Sequence, residues 1–429
     1  MRRSYSLLYY LLVPAVITRM LWRSRLAPQY RQRLAERLGF FDGPGLDDSE
    51  HDEPLIWVHA VSVGETLAAA PLIEAMLKRY PQARIAVTTT TPTGSERVRT
   101  LFGERVFHVY APWDLPGAVC RFLEQLRPNL LVVMETELWP NMLHYCQASG
   151  CRVILANARL SARSARGYAR LGSLTRTMMQ SLDRVAAQSG DDGERFVELG
   201  LPRERLTVTG SIKFDIELSS ELREQARILR TVLASDSRPV LLAASTHPGE
   251  DELVLQAFAA VRKQYPDCLL VLVPRHPERF DSVCKQCETA GWRVVRRSSK
   301  KVPGQADDIL LGDTMGELLL LIGAASLVIM GGSLIEHGGH NVLEAAAWGV
   351  PVVAGPWMFN FQQISDLLLA AGAMEQLAAP ADLSAVLLKL LADIDVRRRM
   401  GAAGKQVVAA NRGARGHLLA LIEQELAGM

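Results

Sequence analysis

Two series of short apolar runs, separated by stretches of helix formers, constrain the fold of this chain more than any other feature. The first series is Leu55–Val58, Ile85–Thr90, Val106–Tyr110, Leu130–Met134, Val153–Ala156 and Arg184–Gln188. The second is Val240–Ala244, Leu269–Val273, Arg293–Val295, Ile309–Leu311, Leu327–Met330 and Val350–Ala354. Strands alternating with helices give parallel sheets covered on both faces. At 429 residues the chain is too long for one compact core. The expected fold is α/β, two doubly wound Rossmann-like domains in tandem, facing each other across a cleft. The expected divisions are a basic N-terminal segment (1–40), a first domain (41–212), a charged, strand-poor linker (213–236) and a second domain with C-terminal helices (237–429).

Net charge is only +2, but it is unevenly spread. Residues 1–40 carry eight arginines (Arg2, Arg3, Arg19, Arg23, Arg25, Arg31, Arg33, Arg37) against Glu36, which leaves the remainder acidic. The apolar run Leu7–Ile17 lies inside this basic segment and is short for a bilayer span, which needs about 20 residues. No small-residue cleavage motif follows it. A membrane anchor or interfacial helix held to anionic lipid by arginines is the reading taken; the alternative is a buried helix of a soluble protein. Six scattered cysteines fit a reduced compartment. Cys284 and Cys287 read as helical neighbours rather than metal ligands.

The polar motifs fall where strands end, which is where such sheets bind ligands. Gly338–Pro356 runs from a glycine-rich loop through Asn341-Val342-Leu343-Glu344 into a helix ending at Gly349. A helix start presents N–H groups to an anion, and Glu344 is placed to meet a ribose diol. That combination suits a nucleotide-sugar donor. Pro274-Arg275-His276, Met315-Gly316-Glu317, Gly331-Gly332 and Lys213 lie in comparable positions. In the other domain, Glu65 follows the first strand in His59-Ala-Val-Ser-Val-Gly-Glu65. It reads as a general base on a hydroxyl or as a helix cap, and spacing alone favours the cap. Glu135 and Glu137 follow the fourth strand and point the same way only if the strand continues. Arg159, Arg163, Arg166 and Arg170 are spaced as one helix face, either solvated or meeting the phosphates of a bulky acceptor or a membrane. No G-x-x-x-x-G-K-[ST], strand-linked G-x-G-x-x-G or metal-spaced cluster is present, so kinase, nicotinamide and metal chemistry are not implied.

Taken together, HAVSVGE, TTTTPTGSERV, METELWPN, ANARLSARSARGYA, TGSIKFD, STHPGED, VPRHPERF, GDTMGELL, MGGSLIEHGGHNVLEAA and GPWMFNF resemble the 3-deoxy-D-manno-octulosonic acid (Kdo) transferases of lipopolysaccharide synthesis along essentially the whole chain. The resemblance implies a GT-B fold at the cytoplasmic face of the inner membrane. It implies inverting transfer of Kdo from CMP-Kdo to a lipid A precursor of the lipid IVA type, with no cofactor, metal or nucleic acid. It makes Glu65 the base. It places Pro274, Arg275, Met315, Gly316, Glu317 and Asn341–Glu344 at CMP, with His276 and Lys213 near phosphate or sugar carboxylate. The rival readings are another GT-B nucleotide-sugar transferase or epimerase, or an inactive membrane-tethered binding protein.

Overall fold

The computed structural model describes residues 1–25, 28–43, 53–233 and 238–428. Most of the acidic Asp42–Pro54 loop and the end of the expected linker lie outside them. The chain forms two compact units, Met1–Asp215 with Arg412–Met429, and Ile216–Asn411.

The first unit is built on seven strands: β1 (Leu55–His59), β2 (Arg84–Thr89), β3 (Phe107–Tyr110), β4 (Leu130–Met134), β5 (Arg152–Ala158), β6 (Arg184–Ala187) and β7 (Leu206–Val208). They are parallel, in the order β3-β2-β1-β4-β5-β6-β7. This is the dinucleotide-fold order extended by one strand. Every residue of β1 and β4 is buried, as expected where helices cover both faces. Side chains alternate between two cores. Leu55, Trp57, Leu131 and Val133 enter one; Ile56, Val58, Leu130, Val132 and Met134 enter the other.

The second unit carries β8 (Val240–Thr246), β9 (Leu269–Pro274), β10 (Val294–Arg296), β11 (Ile309–Leu311), β12 (Leu327–Met330), β13 (Val352–Ala354) and β14 (Met374–Gln376). The order is β10-β11-β9-β8-β12-β13-β14, again all parallel. The direction of winding reverses between β1 and β4 in one sheet and between β8 and β12 in the other. Loops leaving these strands are splayed apart there; Glu65 and Glu135 follow the first pair, and His247 and Gly331-Gly332 follow the second.

Three features differ from the sequence expectation. The strands it did not contain, β7 and β14, are three-residue edge strands whose side chains are mostly not buried, so they leave no apolar run. The expected linker divides between the units: the first ends at Asp215, and Ser220–Leu233 is a helix of the second, burying Ala226, Leu229 and Leu233. The C-terminal helix Ala414–Ala427 also does not stay with the second unit. Its Leu418, Leu421 and Ile422 join Leu72, Ile73 and Met76 in a core of the first. Asp215 fixes the return by accepting from the backbone N–H of Gly413 and Arg415, both at 2.6 Å. A carboxylate at a helix start is well placed for both bonds and dipole. Arg184 and Glu425 pair near the other end at 2.8 Å.

Asp215→Ala is expected to lower stability by about 1–3 kcal/mol and to speed amide exchange across 414–427 before the sheet opens. Unchanged exchange in that helix would refute the role given to Asp215.

Candidate functional site

Glu65 stands in the first turn of the helix Val63–Arg79, whose N-cap is Ser62. The cap and the carboxylate are reciprocal. Glu65 N–H donates to Ser62 Oγ at 3.3 Å, while Ser62 Oγ and Val61 N–H each donate to the carboxylate at 2.8 Å. Glu65 is therefore a capping residue, as its spacing indicated, and its oxygens still have unused acceptor capacity. Burial pushes its pKa up to about 7, outweighing the two hydrogen bonds, and Glu137 and Glu135 add repulsion. A carboxylate poised near neutrality suits a general base.

Strand β4 stops at Met134, so Glu135 and Glu137 are not alternate strand residues. Glu135 instead takes a left-handed φ of 55°, an uncommon conformation for this residue. Its carboxylate lies 3.7 Å from Lys213 Nζ. Glu137 accepts from Trp139 Nε1 at 3.0 Å, and burial raises its pKa. Lys213, expected among the donor contacts, thus sits in the first unit beside an expected acceptor residue. Asn157 places it. Buried at the end of β5 with φ 52°, Asn157 accepts from Ile212 N–H at 3.1 Å and so holds the turn Ile212–Phe214. Asn157 is not among the expected site residues; an asparagine at a strand end, tolerant of positive φ, is the signal that marks it.

The arginine face is only partly helical. The helix is Ala162–Ala169, so Arg159 precedes it, while Arg163, Arg166 and Arg170 follow its spacing. All four are exposed and have no ion pair among the described residues.

In the second unit, the turn after β12 approaches the end of β8 so closely that a Cβ on Gly331 would lie 2.3 Å from the Ser245 carbonyl oxygen. Glycine is required there. Glu250, fully buried, ties the two loops by accepting from His247 N–H (2.9 Å), Gly332 N–H (2.7 Å) and Leu334 N–H (2.9 Å). Arg275 and His276 stand exposed after Pro274, which ends β9. Met315 is 63% exposed and Gly316 has φ 83°. Glu317 is held by Arg297 at 2.7 and 3.1 Å and by Thr314, and the Arg297 bonds keep its pKa low. The helix carrying Glu344 is only Leu343–Trp348, too short for a substantial dipole, and Asn341 Oδ1 already accepts the Leu343 N–H at 3.1 Å. This helix start therefore offers an anion less than the sequence suggested. Val342 and Leu343 are buried supports. Glu344 has its pKa raised by burial, opposed by Asn341 Nδ2 at 3.3 Å and by the nearby Arg275.

The fold also assembles four histidines, of which only His276 is among the expected site residues. His247 Nε2 and His340 Nε2 are 2.8 Å apart, so one donates and the other accepts. The His337 ring is centred 3.9 Å from that of His247, and His276 is 5.5 Å away. Burial first, then the neighbouring cations, lowers His247 to about 4 and His340 to about 3. His247 and His340 are therefore neutral at pH 7 and can offer an N–H donor beside Arg275. No group of three or more His, Cys, Asp or Glu among the described residues is arranged to hold a metal ion.

Residues 32–216 match the family model described as 3-Deoxy-D-manno-octulosonic-acid transferase (kdotransferase), and residues 250–407 match Glycosyl transferases group 1. The chain is 42% identical to the 3-deoxy-D-manno-octulosonic acid transferase of Haemophilus influenzae over 99% of both chains. It belongs to the Kdo transferase family. The transferase of Bordetella pertussis is 40% identical over 86% of this chain and 87% of its own. In fold, UDP-GlcNAc 2-epimerase from Neisseria meningitidis superposes with TM-score 0.57 at 14% identity, covering 88% of this chain and all of that one. The chain is thus a GT-B glycosyltransferase of the Kdo transferase family.

The raised carboxyl of Glu65 has a consequence for stability. The unfolded chain ionises Glu65 near 4.5 and the folded one near 7, so the fold loses stability as pH rises through that window. Relative to Glu65→Gln, the wild type is expected to lose thermal midpoint between pH 4.5 and 7 and then hold constant. A difference that does not vary with pH would show an ordinary carboxyl.

Proposed function

We propose that the chain transfers Kdo from CMP-Kdo to a hydroxyl of a lipid A precursor, with inversion and with Glu65 as the base. The observation that carries this reading is the half-buried Glu65 carboxyl, with a pKa near 7 and open acceptor positions beside Glu137. Ionised Glu65 takes the proton of the acceptor hydroxyl as that oxygen attacks the anomeric carbon. The bond from that carbon to the CMP phosphate breaks on the opposite face, and CMP leaves with the bonding pair. Arg275 and the N–H groups of the histidine cluster stabilise the leaving phosphate and the sugar carboxylate. Glu344 and Asn341 are the ribose contacts, and Met315-Gly316-Glu317 lines the nucleotide. Lys213, oriented by Glu135, places a cation near the first unit's carboxylates. Arg159, Arg163 and Arg166 meet acceptor phosphates. Membrane association at the cytoplasmic face of the inner membrane through residues 2–23 belongs to the same reading. No metal or other cofactor enters it.

Glu65→Gln is expected to lower turnover about 10²–10⁴-fold while CMP affinity, measured by calorimetry, stays within a factor of about two. Arg275→Ala should do the reverse, weakening CMP at least about tenfold. Near-normal transfer by Glu65→Gln would remove the base assignment. Chelation with EDTA should leave the rate intact.

A further inference from the structure

The helix Arg2–Arg23 is long and apolar enough to cross a bilayer by composition, with mean hydropathy 1.3 over Arg2–Trp22. Its packing points elsewhere. Among the described side chains, those not exposed are Arg2, Tyr5, Ser6, Tyr9, Val13, Val16, Met20 and Ser24. At 100° per residue these fall within an arc of roughly 100°, one continuous stripe along the whole helix. The opposite face holds Leu7, Leu11 and Trp22, which are 64%, 70% and 63% exposed.

The start of the helix, and the segment that follows its far end, are fastened to the sheet-bearing part of the first unit. At the start, Arg2 Nη1 and Ser6 Oγ each donate to Asn141 Oδ1 at 3.0 Å, and the Arg2 guanidinium lies over the Tyr145 ring at 5.2 Å. Tyr5 hydrogen-bonds to the buried Asp114, which also caps the helix Pro140–Ala148 through Asn141 and Met142 N–H. At the far end, Arg31 Nε donates to Ser24 Oγ at 2.5 Å. The chain then reaches the sheet within a few residues. Arg33 donates to the His108 carbonyl (2.9 Å) and Arg37 to that of Thr90 (2.8 Å), while Glu36 accepts the Tyr110 N–H at 2.8 Å. A spanning helix of 22 residues, about 33 Å long, would carry its ends to opposite sides of the bilayer and surround its middle with lipid. Here the start of the helix bonds to the first unit and the segment just past its far end does too, and the stripe between them is partly covered, with Ser6 and Ser24 buried.

We infer that residues 2–23 form an in-plane helix, sunk by its Leu7/Leu11/Trp22 face into the headgroup boundary of an anionic leaflet, with both ends on the side of the catalytic unit. The occupant of that face follows from charge. Arg3 and Arg25 flank it, and the exposed Arg163, Arg166, Arg170 and Leu171 precede the helix Ser173–Gln180, whose Ser173 Oγ contacts Met1 Sδ at 2.7 Å. Basic side chains around an apolar face fit acidic lipid. The inference rests on the membrane reading above and is separable from it.

The test uses the full chain carrying Cys120→Ser, because the other five cysteines are buried. Single cysteines replace the exposed Arg3, Arg25 and Glu104, the last marking the side of the first unit. Each protein is floated with sealed phosphatidylcholine–phosphatidylglycerol vesicles and treated with a membrane-impermeant maleimide, with and without detergent. The expected result is flotation with all three positions labelled equally before detergent. Protection of either Arg3→Cys or Arg25→Cys until detergent is added would show a span and overturn the inference, leaving membrane association intact. Failure to float would defeat the membrane reading and this inference with it. Leu7→Glu with Leu11→Glu should weaken vesicle binding at least about tenfold and leave CMP affinity unchanged. Undiminished binding would mean that another surface meets the lipid.

Discussion

A carboxylate folded back onto the loop that leaves the first strand organises both units. After β1 it is Glu65, and after β8 it is Glu250, each in the first turn of the following helix. Parallel strands end in backbone N–H groups with no partner in the sheet, and something must satisfy them. Glu250 does so completely, taking three N–H groups and joining the β8 and β12 loops at the point where the winding reverses. The same device in the first unit is left incomplete. Glu65 takes one N–H and one hydroxyl, and stays only half-buried near two other acids. A saturated carboxylate is architecture; an unsaturated one with a pKa near 7 can do chemistry.

Backbone strain marks the same places. Glu135, Asn157 and Ser245 hold positive φ angles at the carboxyl ends of β4, β5 and β8. Such conformations persist where surrounding bonds over-determine them. For Asn157 those bonds are identifiable: its side-chain oxygen holds Ile212 N–H, and Gln188 Nε2 donates to its carbonyl at 2.9 Å. The strain positions Lys213 against Glu135. In the second unit, the close approach of Gly331 to Ser245 brings the loop bearing His340 to His247.

Much of the fold was legible because the central strands are buried on both faces and so read as unbroken apolar runs. The edge strands β7 and β14 were not, since one side of each is solvated. The return of Ala414–Ala427 to the first unit was also hidden. An amphipathic helix specifies an apolar face but not which sheet covers it, and Asp215, which decides the matter, lies some 200 residues away in sequence. The site divides similarly. Glu65, Arg275 and Asn341–Glu344 could be picked out by their strand-end motifs. The four-histidine cluster could not, because its members come from loops after β8, β9 and β12.

The sequence by itself determined the fold class, the family and the identity of the principal polar groups, because apolar periodicity and contiguous motifs are local properties of a chain. The tertiary structure decided what those groups are worth. Burial set the Glu65 pKa. Strand ends turned Glu135 and Asn157 into strained supports, and the fold brought four histidines from separate loops into one cluster. It also decided where the apolar N-terminal helix packs: its start bonds to Asn141 and Asp114, and Arg37, beyond its far end, bonds to the Thr90 carbonyl, a placement that no hydropathy pattern contains.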